Sequence, residues 1–176
     1  HLMAKVHYRA YHDPLTELGN RALFYELVQH QLAIAERENR QLSILAIDLD
    51  NFKVVNDDEG HAAGDQLLAA VARRLEATIR AADAAARMGG DEFSILLVDA
   101  GEESATETAH RLVAELGKPY PGIQTRVSAS IGIAVYPQAG ADLAELLENA
   151  DRALYAAKRG GRNTCRLAGC AKTSEV

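Results

Sequence analysis

"ARMGGDEFSILLV", Ala86 to Val98, sets two glycines and two acids between a short apolar stretch and a run that is nearly all apolar. A glycine pair between strand-like flanks is a hairpin signal. Asn-Gly would turn the chain equally well, so Asp91 and Glu92, side by side at the mouth of a buried strand, need a further reason.

The neighbouring segments supply the frame. "LSILAIDLD", Leu42 to Asp50, reads as a buried strand ending in acids, and "NFKVVNDDEGHAAGD" as a polar connection into a helix whose inner face is Leu68, Val71, Leu75 and Ile79. Before them, Asn20 caps a helix carrying Leu23, Phe24, Leu27 and Val28 on one face. After the hairpin, Ser104 with Glu107 reads as a capping box opening a helix through about Gly117. "RVSASIGIAVYP" is a strand, and Asp142 with Glu145 opens a last helix that stops at Gly160-Gly161. From Leu42 to Tyr136 the order is β-α-β-β-α-β, which predicts an α+β fold with a ferredoxin-like core. In that unit the first strand runs antiparallel beside the third. Asp48 and Asp50 are therefore expected to approach Asp91 and Glu92.

Length and charge bound what such a core can do. The chain has 176 residues, 48% of them hydrophobic, enough for one domain with a real core. A net charge of −6 argues against broad binding of nucleic acid, so anionic partners must be held locally. Cys165 and Cys170 lack zinc-site spacing and make no disulfide framework, which fits a reduced, cytoplasmic setting. No stretch has the length of a membrane span, and "HLM" reads as a vector-derived remnant.

Carboxylates gathered at one sheet edge repel unless a cation sits between them. Magnesium suits hard oxygen ligands and needs only one or two protein carboxylates. Glycines at 89 and 90 would let the backbone approach a nucleotide. Acids at strand ends are also ordinary solvated turn residues, the better account if the hairpin stood alone.

The motifs "HDPLTELGNR", "DLDNFKVVND", "GHAAGD", "RMGGDEF", "SIGIAVYP" and "ADRALYAAKRGGRN", in this order over nearly the whole chain, resemble the GGDEF domain family of diguanylate cyclases. The resemblance implies a core like those of nucleotidyl cyclases and polymerase palms, with flanking helices and an extra C-terminal strand. It divides the chain into residues 1–10 (remnant and end of a connecting helix), 11–167 (the domain) and 168–176 (polar tail or linker). It implies condensation of two GTP into cyclic di-GMP with release of pyrophosphate, by two domains paired as a homodimer. The magnesium (or manganese) ligands fall on Asp48, Asp91 and the Leu49 carbonyl, and Glu92 joins Asp91 as a catalytic residue beside the metal and phosphates.

For the substrate, guanine contacts fall on Asn56 and Asp65. A carboxylate can accept from guanine N1 and N2, and an amide can donate to a ring or carbonyl acceptor. A helix N-cap after Gly64 is the plainer role for Asp65. The triphosphate falls on Lys53, Lys158 and Arg162 with the backbone amides of Asn51 and Phe52, and on the close-approach glycines Gly89 and Gly90. Lys158 and Arg162 also suit a helix C-terminus without any ligand. Arg80 and Asp83, in an RxxD five residues before Gly89, with Arg111 on the following helix, fall on the family's inhibitory product site. Without that context they are a surface ion pair of little worth. His61 is assigned no chemistry.

Two departures stand out. Gly19 occupies a position where proline is common, and Glu59 one where an aromatic is usual, adding negative charge near the nucleotide loop. A non-catalytic GTP-binding module of a larger signalling protein is the alternative reading. A pure cyclic di-GMP receptor fits less well because the signature is undamaged. An upstream sensory domain, a downstream phosphodiesterase domain and attachment to a membrane through a longer protein are compatible with this sequence.

Overall fold

The computed structural model of the chain describes residues 2–169. Helix α1 (Leu2–Tyr11) leads into α2 (Arg21–Glu38), followed by β1 (Leu42–Asp50), α3 (Phe52–Glu59), α4 (His61–Thr78), the hairpin β2 (Ala84–Gly89) and β3 (Glu92–Val98), α5 (Glu102–Leu116), β4 (Ser128–Tyr136), α6 (Leu143–Arg159) and β5 (Thr164–Leu167). One sheet has the order β2-β3-β1-β4-β5. Strand β1 is antiparallel to both β3 and β4, as the βαββαβ reading requires, and β5 adds to β4 in parallel. Cys170 and the tail expected over 168–176 lie largely outside the described residues. Among the described residues no helix is long and apolar enough to cross a membrane.

All nine residues of β1 are buried, so alternation sends them to two cores. Leu45, Ile47 and Leu49 pack with α4 and α5 residues such as Leu68, Val71 and Leu112, whereas Leu42, Ile44 and Ala46 pack with Phe24 and Val28 of α2 and Leu146 and Ala150 of α6. Asp48 and Asp50 continue the second register and so end on the α2–α6 side. Helix α6 lies directly on β4 at Gly132, where an added Cβ would stand 2.1 Å from the Ala150 carbonyl oxygen. That contact fixes the depth at which α6 carries Lys158 toward the end of β1.

Caps at Asn20 and Asp142 form as expected: Asn20 accepts from the Leu23 amide at 3.1 Å, and Asp142 from the Glu145 amide at 2.9 Å. Two expectations fail. The capping box at Ser104 does not form, because α5 starts earlier, with Gly101 at the cap and the acids Glu102 and Glu103 in the first turn, where they suit the helix dipole. Residues 51–65 are not a polar connection. Phe52 and Val55, three apart, pack on the core and fold the segment into α3, and the single residue Gly60, at φ 93°, joins it to α4.

The glycine hairpin closes with both glycines at positive φ, 146° for Gly89 and 51° for Gly90. Arg87 staples it to the start of the domain. Its Nε donates to the Gly90 carbonyl at 3.0 Å, while its guanidinium pairs with Asp13 at 3.1 Å. Burial alone would raise the Asp13 pKa, but hydrogen bonds from Thr16 and the charge of Arg87 bring it below the usual value.

Candidate active site

The register across β1 and β3 sets Asp48 opposite Glu92, and the Leu49 amide donates to the Asp91 carbonyl at 3.4 Å. The two strand ends meet as the strand order predicted. Asp48 is 8% exposed. Its Oδ2 accepts from Lys158 Nζ, and its buried Oδ1 has no partner. Burial, followed by the charge of Asp48, pushes the Asp91 carboxyl up to about 6. An orphaned buried oxygen and a carboxylate held up by its neighbour are what a cation between them would relieve. Among the described residues no three His, Cys, Asp or Glu side chains converge as a metal site. A cation bound by Asp48 and Asp91 would therefore complete its shell with backbone, water or substrate oxygens, which suits magnesium.

Asp50 departs from expectation. Rather than facing Asp91 and Glu92, it accepts from Ser128 Oγ at 2.7 Å, Ser130 Oγ at 2.8 Å and the Asn163 amide at 3.0 Å. It ties β1 to β4 and to the loop after α6. The alternation Ser128-x-Ser130 was the available signal, since it places two hydroxyls on one face of the neighbouring strand.

On the α2–α6 side a cavity of about 290 Å³ reaches Asp48, Glu92 and Lys158 and is also lined by Arg21, Tyr25 and Asp151. Arg21 donates to the Met88 carbonyl at 3.2 Å, bracing the hairpin from α2. Burial raises the Asp151 carboxyl against the opposing charges of Arg21 and Lys158. Asp151 and Lys158 are two turns apart on α6, a spacing that could have shown them sharing a face.

The candidate phosphate donors come from the start of α3, the end of α6 and the loop that follows it. Asn51, at φ 68°, begins α3 without a side-chain cap. Its amide donates instead to the Arg126 carbonyl at 3.1 Å, leaving the first backbone N–H groups of α3 uncapped by any side chain. Lys53 is exposed on the first turn. Lys158 is engaged with Asp48 rather than with helix carbonyls. Arg162, at φ 63°, lies with its Nε 4.0 Å from Asp50 and its side chain 62% exposed.

At the α3–α4 corner the Asn56 side chain lies against Gly64, the residue before Asp65. Asp65 is no N-cap: α4 begins at His61, so Asp65 stands exposed within the helix and its carboxylate is not used as a cap. Glu59 does not turn its charge toward this corner unopposed. Its carboxylate accepts from the Gln124 and Thr125 amides at 2.8 and 3.0 Å, which lowers its pKa and pins the loop before β4.

Asp83 is already saturated. Its side chain is 2% exposed and accepts from the Arg80 amide, from the Arg80 guanidinium and from the Val98 amide, leaving Arg80, at 56% exposure, as the group facing solvent. Arg111 is exposed on α5, where its guanidinium reaches Thr108 Oγ1 at 3.4 Å.

Residues 10–164 match the family model described as "Diguanylate cyclase, GGDEF domain". The chain belongs to the GGDEF domain family. It is 47% identical over 157 residues to the bifunctional diguanylate cyclase/cyclic di-GMP phosphodiesterase MucR of Pseudomonas aeruginosa, covering 88% of this chain and 23% of MucR. The GGDEF domain of TpbB (YfiN) from Pseudomonas aeruginosa superposes with a TM-score of 0.86 at 40% identity, covering 90% of this chain and 94% of that one. The coiled coil and GGDEF domain of DgcB from Caulobacter crescentus, solved in complex with c-di-GMP, gives a TM-score of 0.85 at 30% identity over 95% and 90% of the two chains. This GGDEF domain spans 23% of MucR and 39% of full-length TpbB.

Proposed function

We propose that this GGDEF domain is a diguanylate cyclase, condensing two GTP into cyclic di-GMP. The observation that carries the reading is the meeting of Asp48 and Asp91 at an undamaged Gly-Gly-Asp-Glu-Phe hairpin, with one carboxylate oxygen unpartnered. In each half-reaction the 3′-oxygen of one ribose bonds to the α-phosphorus of the other GTP, the bond to the β-phosphate bridge breaks, pyrophosphate leaves and the hydroxyl proton passes to solvent or a carboxylate. Asp48, Asp91 and the Leu49 carbonyl would hold magnesium or manganese, which would supply positive charge to activate the hydroxyl and neutralise the leaving group. Glu92, exposed beside them, faces the space where nucleophile and phosphates meet. The uncapped amides of Asn51 and Phe52, with Lys53, receive phosphate oxygens at a helix N-terminus. Lys158, engaged with Asp48, and Arg162, on its exposed loop, are the further cations that would receive phosphate oxygens. Gly89 and Gly90 keep the hairpin free of side chains where the nucleotide approaches. Asn56 and Asp65 read guanine.

One domain holds one GTP, so two copies must face each other. The complex of DgcB with c-di-GMP supports product binding by domains of this kind. Here Arg80 would grip the product's phosphates and guanine edges, with Arg111 from α5, and release Asp83 to accept from the base. MucR, named for both cyclase and phosphodiesterase activities, supports a catalytic domain joined to a phosphodiesterase partner, and an upstream sensory domain and a cytoplasmic setting, where GTP is available, complete the proposal. Replacing Asp91 by Ala should abolish cyclic di-GMP formation in a chromatographic assay while leaving the domain folded, with a melting temperature at or above that of the cation-free parent at neutral pH. Turnover within a few-fold of the parent would remove the metal assignment.

A further inference from the structure

Gly64 is a residue that α4 itself does not ask for. It is buried in ordinary helical backbone, where alanine is the better helix former, and no left-handed turn requires glycine there. What requires it is Asn56. A Cβ on Gly64 would stand 1.9 Å from Asn56 Oδ1 and 3.0 Å from Cγ, but 3.5 Å from Nδ2. The amide oxygen thus rests in the space of the missing side chain, and the NH2 group lies farther from it. The backbone of Asn56 is fixed independently, its carbonyl accepting from the Gly60 amide at 3.1 Å where α3 turns into α4.

We infer that Gly64 is a specificity-positioning residue: by omitting a side chain it seats the Asn56 amide so that its donor, beside the Asp65 carboxylate, faces a guanine base. The inference rests on the reading of Asn56 and Asp65 as the base contacts. Any side chain at 64 meets the movable end of Asn56, so the helix tolerates it and the amide is displaced. The cost falls on recognition and not on folding.

The test is a double-mutant cycle with Gly64→Ala and Asn56→Ala, read by calorimetric binding of α,β-methylene-GTP, in which the bond that breaks is blocked, together with thermal unfolding. Gly64→Ala should bind about tenfold more weakly, the scale of one hydrogen bond to the base, with a melting temperature equal to or above the parent's. Asn56→Ala should lose a similar factor, and the double variant should bind no more weakly than Asn56→Ala alone. Parental affinity in Gly64→Ala, or a further loss on adding it to Asn56→Ala, would overturn the positioning role. A lowered melting temperature with equal losses in both backgrounds would do the same. Parental affinity in Asn56→Ala would instead overturn the reading beneath it.

Discussion

Asp91 is the residue on which the proposed chemistry turns, and its raised pKa has a definite sign. A carboxyl whose pKa is raised in the folded state costs nothing while protonated, below the ordinary carboxylate range. The cost grows as pH rises past the ordinary value of 3.8 and is complete above about 6. Without a divalent cation the domain should therefore lose stability from this site between about pH 4 and pH 7, and a cation should restore it. Magnesium is expected to raise the melting temperature more at pH 7 than at about pH 5, and Asp91→Asn should flatten that difference. Equal shifts at both pH values in the parent would mean that Asp91 does not hold the ion. The encounter of Asp48 with Asp91 was legible, because it follows from strand order alone. The turning away of Asp50 was not. Its partners Ser128, Ser130 and Asn163 lie 78, 80 and 113 residues away, and only the folded register brings them together.

Among the elements, those with long apolar periods were readable and the short one was not. Helix α3 has only eight residues and shows its core-facing side through Phe52 and Val55 amid polar neighbours, too brief a pattern to separate from a loop. The start of α5 was misread because Ser-x-x-Glu is a common spacing inside helices as well as at their ends, and Gly101 with two following acids did the same work earlier. The turn before α2 carries a strain that composition alone could not show. Glu17 is exposed at φ 62°, with its amide bonded to the Asp13 carbonyl at 2.8 Å. A left-handed backbone crowds the Cβ of any residue but glycine. Glu17→Gly should therefore stabilise the domain by about 1 kcal/mol after the entropy it adds to the unfolded chain. That corresponds to a rise of about 3 °C in melting temperature. An unchanged or lower midpoint would show that the turn is not under strain.

For the whole molecule, one sheet brings the hairpin, the start of α3 and the end of α6 to the same end of β1, while the α3–α4 corner carries the proposed base contacts. Each copy presents one such site, yet a cyclic dinucleotide needs two bonds made between two nucleotides. On the proposed function, association of two copies is therefore part of the reaction. The segment Leu2–Tyr11 forms a helix, α1, with Leu2, Met3, Val6 and Tyr8 all exposed, but the partner that pairs two domains is not legible in one chain. The most direct measurement is the rate of cyclic di-GMP formation from GTP and magnesium across a wide range of protein concentration, with sedimentation at each point. The account predicts a rate per mole of protein that climbs with concentration as monomers pair. A constant rate per mole down to dilutions holding only monomer, or GTP binding without product at any concentration, would contradict it.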